Sequence, residues 1–413
     1  MANWIDPGDL NKLIKPGDCI YVGGGTNEPH GLLDSLDAVG DLHFIQQPIA
    51  AVNQRDLSDI GEGSTQTTFF MTPFLRDGLK QGRVKFVPMH MRAIYDYIAT
   101  QSVDVALLLA AKDINGDLRF GSNIDYVGAA MTSARVKIVE VSDEFTAPLG
   151  SLLVGGSADY LFASHTPAAT YPAATIDPVS GKIGQLVADL IQDGDCIQTG
   201  IGAVPAAILA GLGDKNDLGF HSGLLDDGAM KLIVDGNITG KYKAIDRYKH
   251  VTGMANGSSQ LLRWLQNEKT VSFHSANYTH EVDVIRQLDN FVSVNSAVEI
   301  DLFGQVNAEV VNGWQISGTG GSVDFMRAVK SCRGGRSIVA LSATAKNGTV
   351  SRIVQKVEMV TALRTDVDIV VTEFGIARLK NASLAERSEL LIRIAHPDFR
   401  EELRALSMAA RSV

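Results

Sequence analysis

One short pattern occurs twice in the chain, as KPGDCIYVGGG (15–25) and again as QDGDCIQTGIG (192–202). Each copy predicts a helix (9–14 and 185–191), a tight turn at Gly-Asp, a strand, and a glycine loop that leads into another helix. Such a repeat favours two similar halves that arose by duplication. The matching residues are Ile14, Gly17, Asp18, Cys19, Ile20, Gly23 and Gly25 in the first copy, and Ile191, Gly194, Asp195, Cys196, Ile197, Gly200 and Gly202 in the second.

Short runs rich in Val, Ile and Leu alternate with helical patterns along the whole chain. Continuous apolar runs are typical of strands covered on both faces, as in parallel sheets. We therefore predict an α/β fold: two similar open α/β domains from an internal duplication, with a ligand cleft between them. The predicted strands are 18–23, 103–110, 135–141, 195–200, 337–343 and 367–373.

The proline-containing segment SHTPAATYPAATIDPVSGK (164–182) shows little periodicity and predicts a linker. It places the boundary near residue 180, between an N-terminal domain (1–180) and a C-terminal domain (181–413). Helices are predicted over 184–191 and 383–395. Capping boxes are predicted where Ser383 precedes Glu386 and where Asp398 precedes Glu401 by three positions.

Composition excludes several classes of protein. The net charge is −10 and basic residues are scattered, so a broad nucleic-acid surface is not expected. No apolar run approaches the roughly 18 residues of a membrane span. The first residues lack the pattern of a secretory signal, and three cysteines without a CxxC pair favour a reducing compartment without disulfides or a metal site. We expect a cytoplasmic protein in which Cys19 and Cys196 are small core residues.

The second glycine loop follows a strand and precedes an apolar helix, so its backbone amides predict an anion site at a helix N-terminus. In the first copy Glu28 stands just before the helix, where a carboxylate would occupy or repel an anion, so the two loops are predicted to differ in role. The alternatives are a plain strand-to-helix turn and a dinucleotide loop. A dinucleotide loop needs GxGxxG and a later acidic residue, which neither copy has. The loop consists of Gly200, Ile201, Gly202, Ala203, Val204 and Pro205.

A further glycine cluster lies in ISGTGGSVDFMRA (316–328), ahead of a helix predicted over 323–330. Gly318, Gly320 and Gly321 permit positive φ angles and close backbone approach. These amides are candidate donors to an anion or an oxyanion.

The segment NFVSVNSAVEIDLFGQVNAE (290–309) alternates between apolar and polar residues. Its pattern puts Asn295, Ala297, Glu299 and Asp301 on one face. Periodicity alone predicts an ordinary antiparallel strand with Glu299 and Asp301 in water. The alternative interpretation places Glu299 in a cleft with hydrogen-bond donors beside it.

Four segments together resemble the acetyl-CoA hydrolase/transferase family, the class I CoA-transferases that include 4-hydroxybutyrate and acetate CoA-transferases. They are GIGAVPAAIL (200–209), NSAVEIDLFGQVNAE (295–309), QISGTGGSVDF (315–325) and VTEFGIARLKNASLAERSELLIRIAHPDFR (371–400). Family members have two similar α/β halves with a CoA thioester between them. The resemblance covers nearly the whole chain, most clearly after residue 190.

The resemblance also implies site residues. It makes Glu299 the nucleophile, puts the loop 200–205 near the pantetheine of CoA, and makes Lys346 a phosphate contact. The glycines at 318, 320 and 321 are implied to lie near the thioester. Glu373, at the end of a predicted strand, is expected to hold a loop by hydrogen bonds, with a catalytic role as the alternative.

The implied activity is that of a CoA-transferase, which moves CoA between a short-chain acyl-CoA such as acetyl-CoA and a small carboxylic acid through a glutamyl-CoA thioester. CoA and acyl-CoA are then substrates, with no permanently bound cofactor or metal. By family analogy the chain forms a homodimer or homotetramer. The alternatives are an acyl-CoA hydrolase, an NAD-dependent oxidoreductase and a non-catalytic CoA-binding protein.

One segment departs from the family pattern G-[IV]-H-T-E-M-x-S-D-G. This chain has GFHSGLLDDG (219–228), in which Gly223 replaces the acidic residue and Asp226 replaces the serine. If this loop shapes the acyl pocket, the departure predicts an unusual acid substrate.

Overall fold

A computed structural model describes residues 2–36 and 39–410, without the side chains of residues 409 and 410. It confirms the α/β class. The chain forms two compact units: unit 1 contains Met1–Ala173, Gly223–Asp227 and Val251–Thr279, and unit 2 contains Ala174–Ser222, Gly228–His250 and His280–Val413.

The strands are numbered in chain order. They are β1 Asn3–Ile5, β2 Cys19–Val22, β3 His43–Gln46, β4 Thr65–Thr68, β5 Val84–Phe86, β6 Val103–Lys112, β7 Leu118–Phe120, β8 Ala134–Ser142, β9 Tyr160–Ser164, β10 Cys196–Gln198, β11 Gly219–Phe220, β12 Leu224–Leu225, β13 His250–Thr252, β14 Met254–Ala255, β15 Val271–Phe273, β16 Phe291–Ser296, β17 Glu299–Asp301, β18 Val306–Asn307, β19 Val310–Val311, β20 Trp314–Gln315, β21 Arg336–Ala340, β22 Thr344–Ala345, β23 Val350–Ser351, β24 Ile353–Val354, β25 Ile369–Thr372 and β26 Gly375–Arg378.

The α-helices are numbered in the same way. They are α1 Pro7–Leu13, α2 His30–Asp34, α3 Arg76–Lys80, α4 Met91–Thr100, α5 Val127–Ser133, α6 Pro178–Ala188, α7 Ala203–Ala210, α8 Asp227–Val234, α9 Ser259–Leu265, α10 Ala276–Thr279, α11 Val282–Ile285, α12 Ser322–Ala328, α13 Leu384–Ile394 and α14 Arg400–Ala410.

Unit 1 is built on a nine-stranded sheet in the order β1-β9-β8-β6-β2-β3-β4-β5, with β7 beside β6. All neighbours are parallel except β7, which runs antiparallel to β6. The central strand β6 is buried along nearly its whole length, which explains its continuous apolar sequence. On one side of the sheet, Leu10 and Leu32 of α1 and α2 join Ile20, Val105 and other buried side chains in a core.

Unit 2 is built on a six-stranded sheet in the order β11-β10-β16-β21-β25-β26. The first five strands are parallel, and β26 returns antiparallel to β25. A separate three-stranded sheet, β18-β17-β24, is formed by segments that lie between main-sheet strands in the chain, β17 and β18 after β16 and β24 before β25. Its residues Ile300 and Ile353 share a core with Val339, Val370 and other side chains of the main sheet.

The repeated pattern folds in the same way in each unit. In the first copy Gly17 has φ of 92° and the backbone N–H of Lys15 donates to Asp18 Oδ2 at 2.9 Å. In the second copy Gly194 has φ of 79°, and the N–H of Gln192 donates to Asp195 Oδ2 at 2.7 Å. The positive φ explains the glycine, and the side-chain bond explains the aspartate. The repeat is therefore a repeat of structure, as predicted.

All six predicted strands form, as β2, β6, β8, β10, β21 and β25. The helices are also found, although α6 begins inside the predicted linker, where the Asp177 side chain accepts from the N–H of Ser180. The capping box of Ser383 and Glu386 is present. The second box is wrong, because a 3₁₀ turn (Pro397–Phe399) capped by His396 precedes α14.

The alternation predicted for residues 290–309 is also wrong. Strand β16 lies inside the parallel sheet between β10 and β21, so Ser293 and Asn295 are buried, as Val292 and Val294 are. The strand ends at Ser296, and Glu299 begins a different strand. Period-two patterning indicates one wet face, and here the polar residues instead bond to one another inside the sheet.

Candidate functional site

Three of the candidate site groups predicted from the sequence follow the carboxyl ends of strands at the same edge of the main sheet of unit 2. The glycine loop follows β10, Glu299 follows β16 after two residues, and Glu373 follows β25 directly. Strands β10 and β16 are parallel neighbours, with Ile197 opposite Val292. Ligands of open α/β sheets bind outside the carboxyl ends of the strands, so this edge is the place to look for a site within the unit.

The glycine loop after β10 is open. Gly202 has φ of 115° and caps α7 without any side-chain hydrogen bond, and Ile201 is 49% exposed. The amides of the first turn, including those of Ala203 and Val204, have no partner within the helix. Pro205 has no N–H to satisfy and is tolerated in the first turn. The loop therefore offers free donors at the positive end of a helix dipole.

A buried polar network lies beneath this loop. Asn295 Nδ2 donates to Ser293 Oγ at 2.8 Å, and Ser293 Oγ donates to Gln198 Oε1 at 2.8 Å. Asn295 and Gln198 also bond to each other across β16 and β10. The network fixes the two strand ends from which the loop and the Glu299 segment emerge.

Glu299 lies in the middle strand of the small sheet β18-β17-β24. It stands opposite Asn307 of β18. Its neighbour Ile300 is paired with Ile353, and both face the apolar core. Because successive side chains of a strand point to opposite faces, Glu299 and Asn307 lie on the face away from that core.

The Glu299 carboxylate is held by one of its two oxygens. Oε1 accepts from Asn307 Nδ2 at 3.0 Å and from the backbone N–H of Glu358 at 2.8 Å. Among the residues that the structure describes, none donates a hydrogen bond to Oε2. The side chain is half-buried. The group is thus a fixed carboxylate with one uncommitted oxygen.

Asn307 was not singled out by the sequence. It is fully buried, its Nδ2 also donates to Val310 O at 2.8 Å, and its Oδ1 accepts from the N–H of Val310 at 3.0 Å. These bonds lock the amide in the orientation that presents Nδ2 to Glu299. Only the register between β17 and β18 reveals this pairing, and the sequence does not give that register.

Asp301, which the alternation paired with Glu299, has a different role. It is fully buried and accepts hydrogen bonds from the N–H of Phe303 and the N–H of Gln305, at 3.0 and 2.9 Å. The expectation that it faces water is wrong, because its carboxylate closes the turn between β17 and β18.

The second glycine cluster enters α12, with Gly320 at φ of 58° and Gly321 as the capping residue. Gly318 is buried. Its neighbour Ser317 donates through Oγ to Ala308 O at 3.0 Å. The cluster is thereby tied to the residue that follows Asn307, and none of its hydrogen bonds within the described residues reaches Glu299.

Lys346 lies in a hairpin turn between β22 and β23, with φ of 48°. It is exposed. Its side chain has no hydrogen bond or ion pair with any residue in the described part of the chain, so the structure does not join it to either glycine loop.

Glu373 is buried and anchors a loop. Its Oε2 accepts from the backbone N–H of Ala343 at 2.8 Å, and the N–H of Arg352 in turn donates to Ala343 O at 2.9 Å. These bonds match the loop-holding role expected from the sequence. Arg352 was not singled out by the sequence; burial lowers the pKa of its guanidinium, and the Glu373 carboxylate opposes that shift.

The first glycine loop, in unit 1, is closed. Glu28 is buried and its Oε2 accepts from Gln46 Nε2 at 2.8 Å and Asn53 Nδ2 at 2.7 Å. Burial raises the pKa of Glu28, and His30 opposes the shift. The N-terminus of α2 is filled by Glu140, whose carboxylate accepts from the N–H of Leu32 at 2.8 Å. Within the described residues, the Glu140 carboxylate occupies the anion position at that helix end.

Comparison with known proteins decides the family. Models of the acetyl-CoA hydrolase/transferase N-terminal and C-terminal domains match residues 3–150 and 257–406. The chain belongs to the acetyl-CoA hydrolase/transferase family. The resemblance expected from the sequence is confirmed.

Relatives within the acetyl-CoA hydrolase/transferase family cover most of the chain. A 4-hydroxybutyrate coenzyme A transferase of Clostridium kluyveri is 38% identical over 335 residues, 79% of this chain and 78% of the relative. A succinyl-CoA:cyclohexane-1-carboxylate CoA transferase of Geobacter metallireducens is 32% identical over 413 residues, 96% of this chain and 93% of the relative. The crystal structure of RipA from Yersinia pestis is similar with a TM-score of 0.91 and 30% identity, over 100% of this chain and 98% of that one.

Within the described residues, no helix combines the length and the apolar character that crossing a bilayer requires.

Proposed function

We propose that the chain is a CoA-transferase that moves CoA from a short-chain acyl-CoA such as acetyl-CoA to a small carboxylic acid. Membership of the acetyl-CoA hydrolase/transferase family supports acyl-CoA chemistry, either transfer or hydrolysis. The observation that carries the proposal is the fixed Glu299 carboxylate, held through Oε1 and uncommitted at Oε2, at the sheet edge where the open glycine loop also emerges.

In the proposed reaction Glu299 is the nucleophile. One carboxylate oxygen attacks the thioester carbonyl, which gives a mixed anhydride and CoA thiolate. The thiolate attacks the glutamyl carbonyl, releases the first acid as its carboxylate and leaves a glutamyl-CoA thioester. The acceptor carboxylate then reverses these steps. Each stage keeps an activated acyl bond, so the exchange consumes no ATP.

The chain's own groups support each stage. Asn307 and the N–H of Glu358 fix the direction of the attacking carboxylate, which reduces the entropy lost on reaching the transition state. The amides of Gly320 and Gly321 are the proposed donors to the tetrahedral oxyanions, each worth about 3 kcal/mol in sites of this kind. The loop 200–205 is the proposed pantetheine site and Lys346 the proposed phosphate contact.

Gly223 marks the position at which this chain departs from the family pattern. The family pattern carries an acidic residue at this position, so in this chain position 223 supplies no carboxylate. Its backbone carbonyl instead accepts from the N–H of Met254 at 3.0 Å beside the short β12–β14 ladder. If this loop shapes the acyl pocket, the missing carboxylate favours an unusual acid substrate.

The test is the intact mass of the protein after mixing with acetyl-CoA. We expect wild type to gain one CoA, less one water, and the variant Glu299→Ala to gain nothing. Glu299→Gln is the matched control for folding, since it keeps the shape of the side chain. An adduct that persists in both variants would contradict the assignment, and peptide mapping would then locate the carboxylate that carries it.

Acyl-CoA hydrolysis is the second candidate, and the half-exposed Glu299 side chain favours it because water can reach the group. Free CoA should then accumulate at a rate that added carboxylate does not change. In a transferase the rate of acyl-CoA exchange rises with the concentration of the acceptor acid. Measuring CoA release and new acyl-CoA in the same reaction separates the two.

A further inference from the structure

The first glycine loop begins at the point where the strand order of unit 1 reverses. From this point the sheet runs β2-β3-β4-β5 in one direction and β6-β8-β9 in the other. The N–H of Gly23, the first residue after β2, donates to Leu107 O of β6 at 2.9 Å. Ligands of open α/β sheets bind outside the carboxyl ends of the strands at such a switch point. Unit 1 therefore has a ligand position of its own beside this loop.

Three buried side chains near this point have polar atoms without hydrogen bonds. Within the described residues, Glu28 Oε1, Gln46 Oε1 and both polar side-chain atoms of Asn27 make none. Each of the three residues is at most 2% exposed. His30 Nδ1 lies 3.3 Å from Glu28 Oε1 without completing a hydrogen bond. Because buried polar groups are normally paired, these atoms indicate a bound group that supplies the missing bonds.

The remaining atoms of this cluster are fully used. Glu28 Oε2 accepts from Gln46 and Asn53, and Asn53 Oδ1 accepts from the N–H groups of Gly25 and Ile49, each at 2.8 Å. Burial raises the pKa of Glu28, which favours its neutral form. Since Oε2 already accepts two N–H groups, the proton of the neutral carboxyl is on Oε1. Glu28 thus offers an O–H donor, and Gln46 offers a carbonyl acceptor.

These groups suit an uncharged ligand. Of the two bases that act on Glu28, Arg55 is bonded to Asp34 and His30 already faces Oε1. A bound anion would therefore meet an amide oxygen and a carboxyl group without a free cation to pair with. A hydroxyl both donates and accepts, so it satisfies Gln46 Oε1 and the Glu28 carboxyl at the same time.

The segment that departs from the family pattern packs against the same loop. The N–H of Met254 donates to Gly223 O at 3.0 Å, and Met254 Sδ lies 3.0 Å from where a Cβ would stand at Gly25. Thr26 Oγ1 also donates to Ala255 O at 3.4 Å. The acidic side chain of the family pattern is missing at position 223, so this position adds no charge beside the loop.

We propose that unit 1 recognises an acyl group that carries an uncharged hydroxyl, and that Glu28 and Gln46 determine this specificity. The inference rests on the proposed function for the reaction and adds the class of substrate, a hydroxyacyl group. Gln46 Oε1 accepts from the hydroxyl, and the Glu28 carboxyl donates to it. An analogue without the hydroxyl leaves both buried groups unpaired, which is the situation in which a site discriminates most strongly.

The first test measures binding to wild type without turnover. The probes are S-butyl-CoA and its derivatives with a hydroxyl at the second, third or fourth carbon, thioethers that have no carbonyl for a nucleophile to attack. We expect one hydroxyl isomer to bind more tightly than S-butyl-CoA by about tenfold or more in calorimetry. Equal affinity for all the probes would overturn the proposal. The charged control is S-(3-carboxypropyl)-CoA, and tighter binding of this carboxylate than of every hydroxyl isomer would also overturn it.

The second test follows the ratio of the two affinities, best hydroxyl isomer over S-butyl-CoA, in variants. Glu28→Leu removes the carboxyl and Gln46→Met removes the amide, and in each the ratio should fall to about one. Glu28→Gln is the conservative control and should keep most of the ratio, because its amide oxygen can accept from Gln46 and Asn53 while its N–H donates as the carboxyl does.

A purely structural role of these residues would weaken both probes together and leave the ratio unchanged. An unchanged ratio in Glu28→Leu or in Gln46→Met would therefore overturn the assignment of that residue. Should one of the two variants not fold, the other decides.

The two proposals fail separately. Wild type that prefers a hydroxyl probe but forms no CoA adduct with acyl-CoA would retain the hydroxyl site and refute the proposed transfer. Wild type that forms the adduct, with equal affinity for all the thioether probes, would retain the transfer and refute the hydroxyl site.

Discussion

The loops that follow β2 and β10 began as the same sequence and now differ in what fills them. The strand before each loop and the turn before each strand have the same geometry, including the aspartate that accepts from the backbone three residues earlier. After the strand, the first loop packs against its own unit, whereas the second is left exposed.

The space around the equivalent glycines shows the difference. A Cβ added at Gly23 would lie 2.7 Å from Asn27 O, and one at Gly25 would lie 2.6 Å from Asn123 Nδ2. At Gly200 and Gly202 a Cβ would meet nothing within 4 Å. The glycines of the first loop are needed for packing, and those of the second leave room for a ligand.

The charge at the following helix also differs. Glu140 fills the N-terminus of α2, while α7 has no side-chain cap. Either a carboxylate of the chain or an anion of a ligand can accept from the N–H groups of the first helical turn, which have no partner within the helix. The comparison teaches that one copy of the repeat has its anion built in and the other is free to bind one.

The largest effect should come from Glu140→Ala. The buried carboxylate accepts from Leu32 N, from Ser164 Oγ at 2.8 Å and from Thr166 Oγ1. Its removal leaves these donors buried without an acceptor, and we expect a loss of about 3–5 kcal/mol in the free energy of unfolding, measured with urea. The exposed Glu144→Ala is the control and should change stability by less than about 0.5 kcal/mol. A loss below 1 kcal/mol for Glu140→Ala would mean that α2 does not depend on its built-in anion.

A matched pair of glycine substitutions should come next. Gly23→Ala forces a methyl group against the carbonyl of Asn27, and we expect a cost of about 2 kcal/mol in stability. Gly200→Ala has open space, so its stability should stay within about 0.5 kcal/mol of wild type. Thermal unfolding of the two variants gives the comparison, and equal losses would remove the distinction between a closed and an open loop.

A carboxylate introduced at the open helix should make the second loop like the first. Ala203→Glu places the charge in the first turn of α7, where it interacts favourably with the helix dipole and competes with an anionic ligand. We expect CoA binding to weaken about tenfold, or about 1.4 kcal/mol, by calorimetry. The neutral Ala203→Gln should bind CoA nearly as wild type does. Equal binding by both variants would show that the ligand's anion lies elsewhere.

The smallest effect concerns the pH dependence of the closed loop. Burial raises the pKa of Glu28 above its ordinary value of 4.5, so the folded state holds a proton that the unfolded state has lost. The stability linked to this proton is fully present below pH 4.5 and is lost as the pH rises through the raised value, at no more than about 1.4 kcal/mol per pH unit.

Glu28→Gln should therefore gain stability relative to wild type as the pH is raised from 4.5, while its side-chain oxygen still accepts from Gln46 and Asn53. Urea unfolding at several pH values measures the difference. A constant offset between the two proteins across that range would show that Glu28 is ionised in the folded state, as in the unfolded one.

Much of the fold could be read from local sequence. The six apolar runs became strands because burial on both faces demands continuous apolar residues, and Gly17 and Gly194 marked turns because few other residues adopt positive φ. Ser383 and Glu386 identified a helix start because both partners of that box lie within one turn. Each of these patterns depends on a few neighbouring residues, so it can be recognised in the sequence without knowing how the rest of the chain folds.

The candidate site depended on contacts that no local pattern contains. Glu299 was found by resemblance, but its partners Asn307 and Glu358 come from a different strand and a loop, and the sequence does not state the register that joins them to Glu299. Asp398 and Glu401 satisfied the pattern of a capping box, yet His396 supplied the cap.

The sequence by itself determined that this protein is an α/β chain with a duplicated strand and turn, because helix and strand periodicity and glycine chemistry are local. The sequence also predicted that the two loops differ in role, but only the tertiary structure decided which side chain closes the first copy. That outcome depends on Glu140, more than a hundred positions from the helix that it caps. It also depends on the order of strands, which brings distant side chains to one sheet edge.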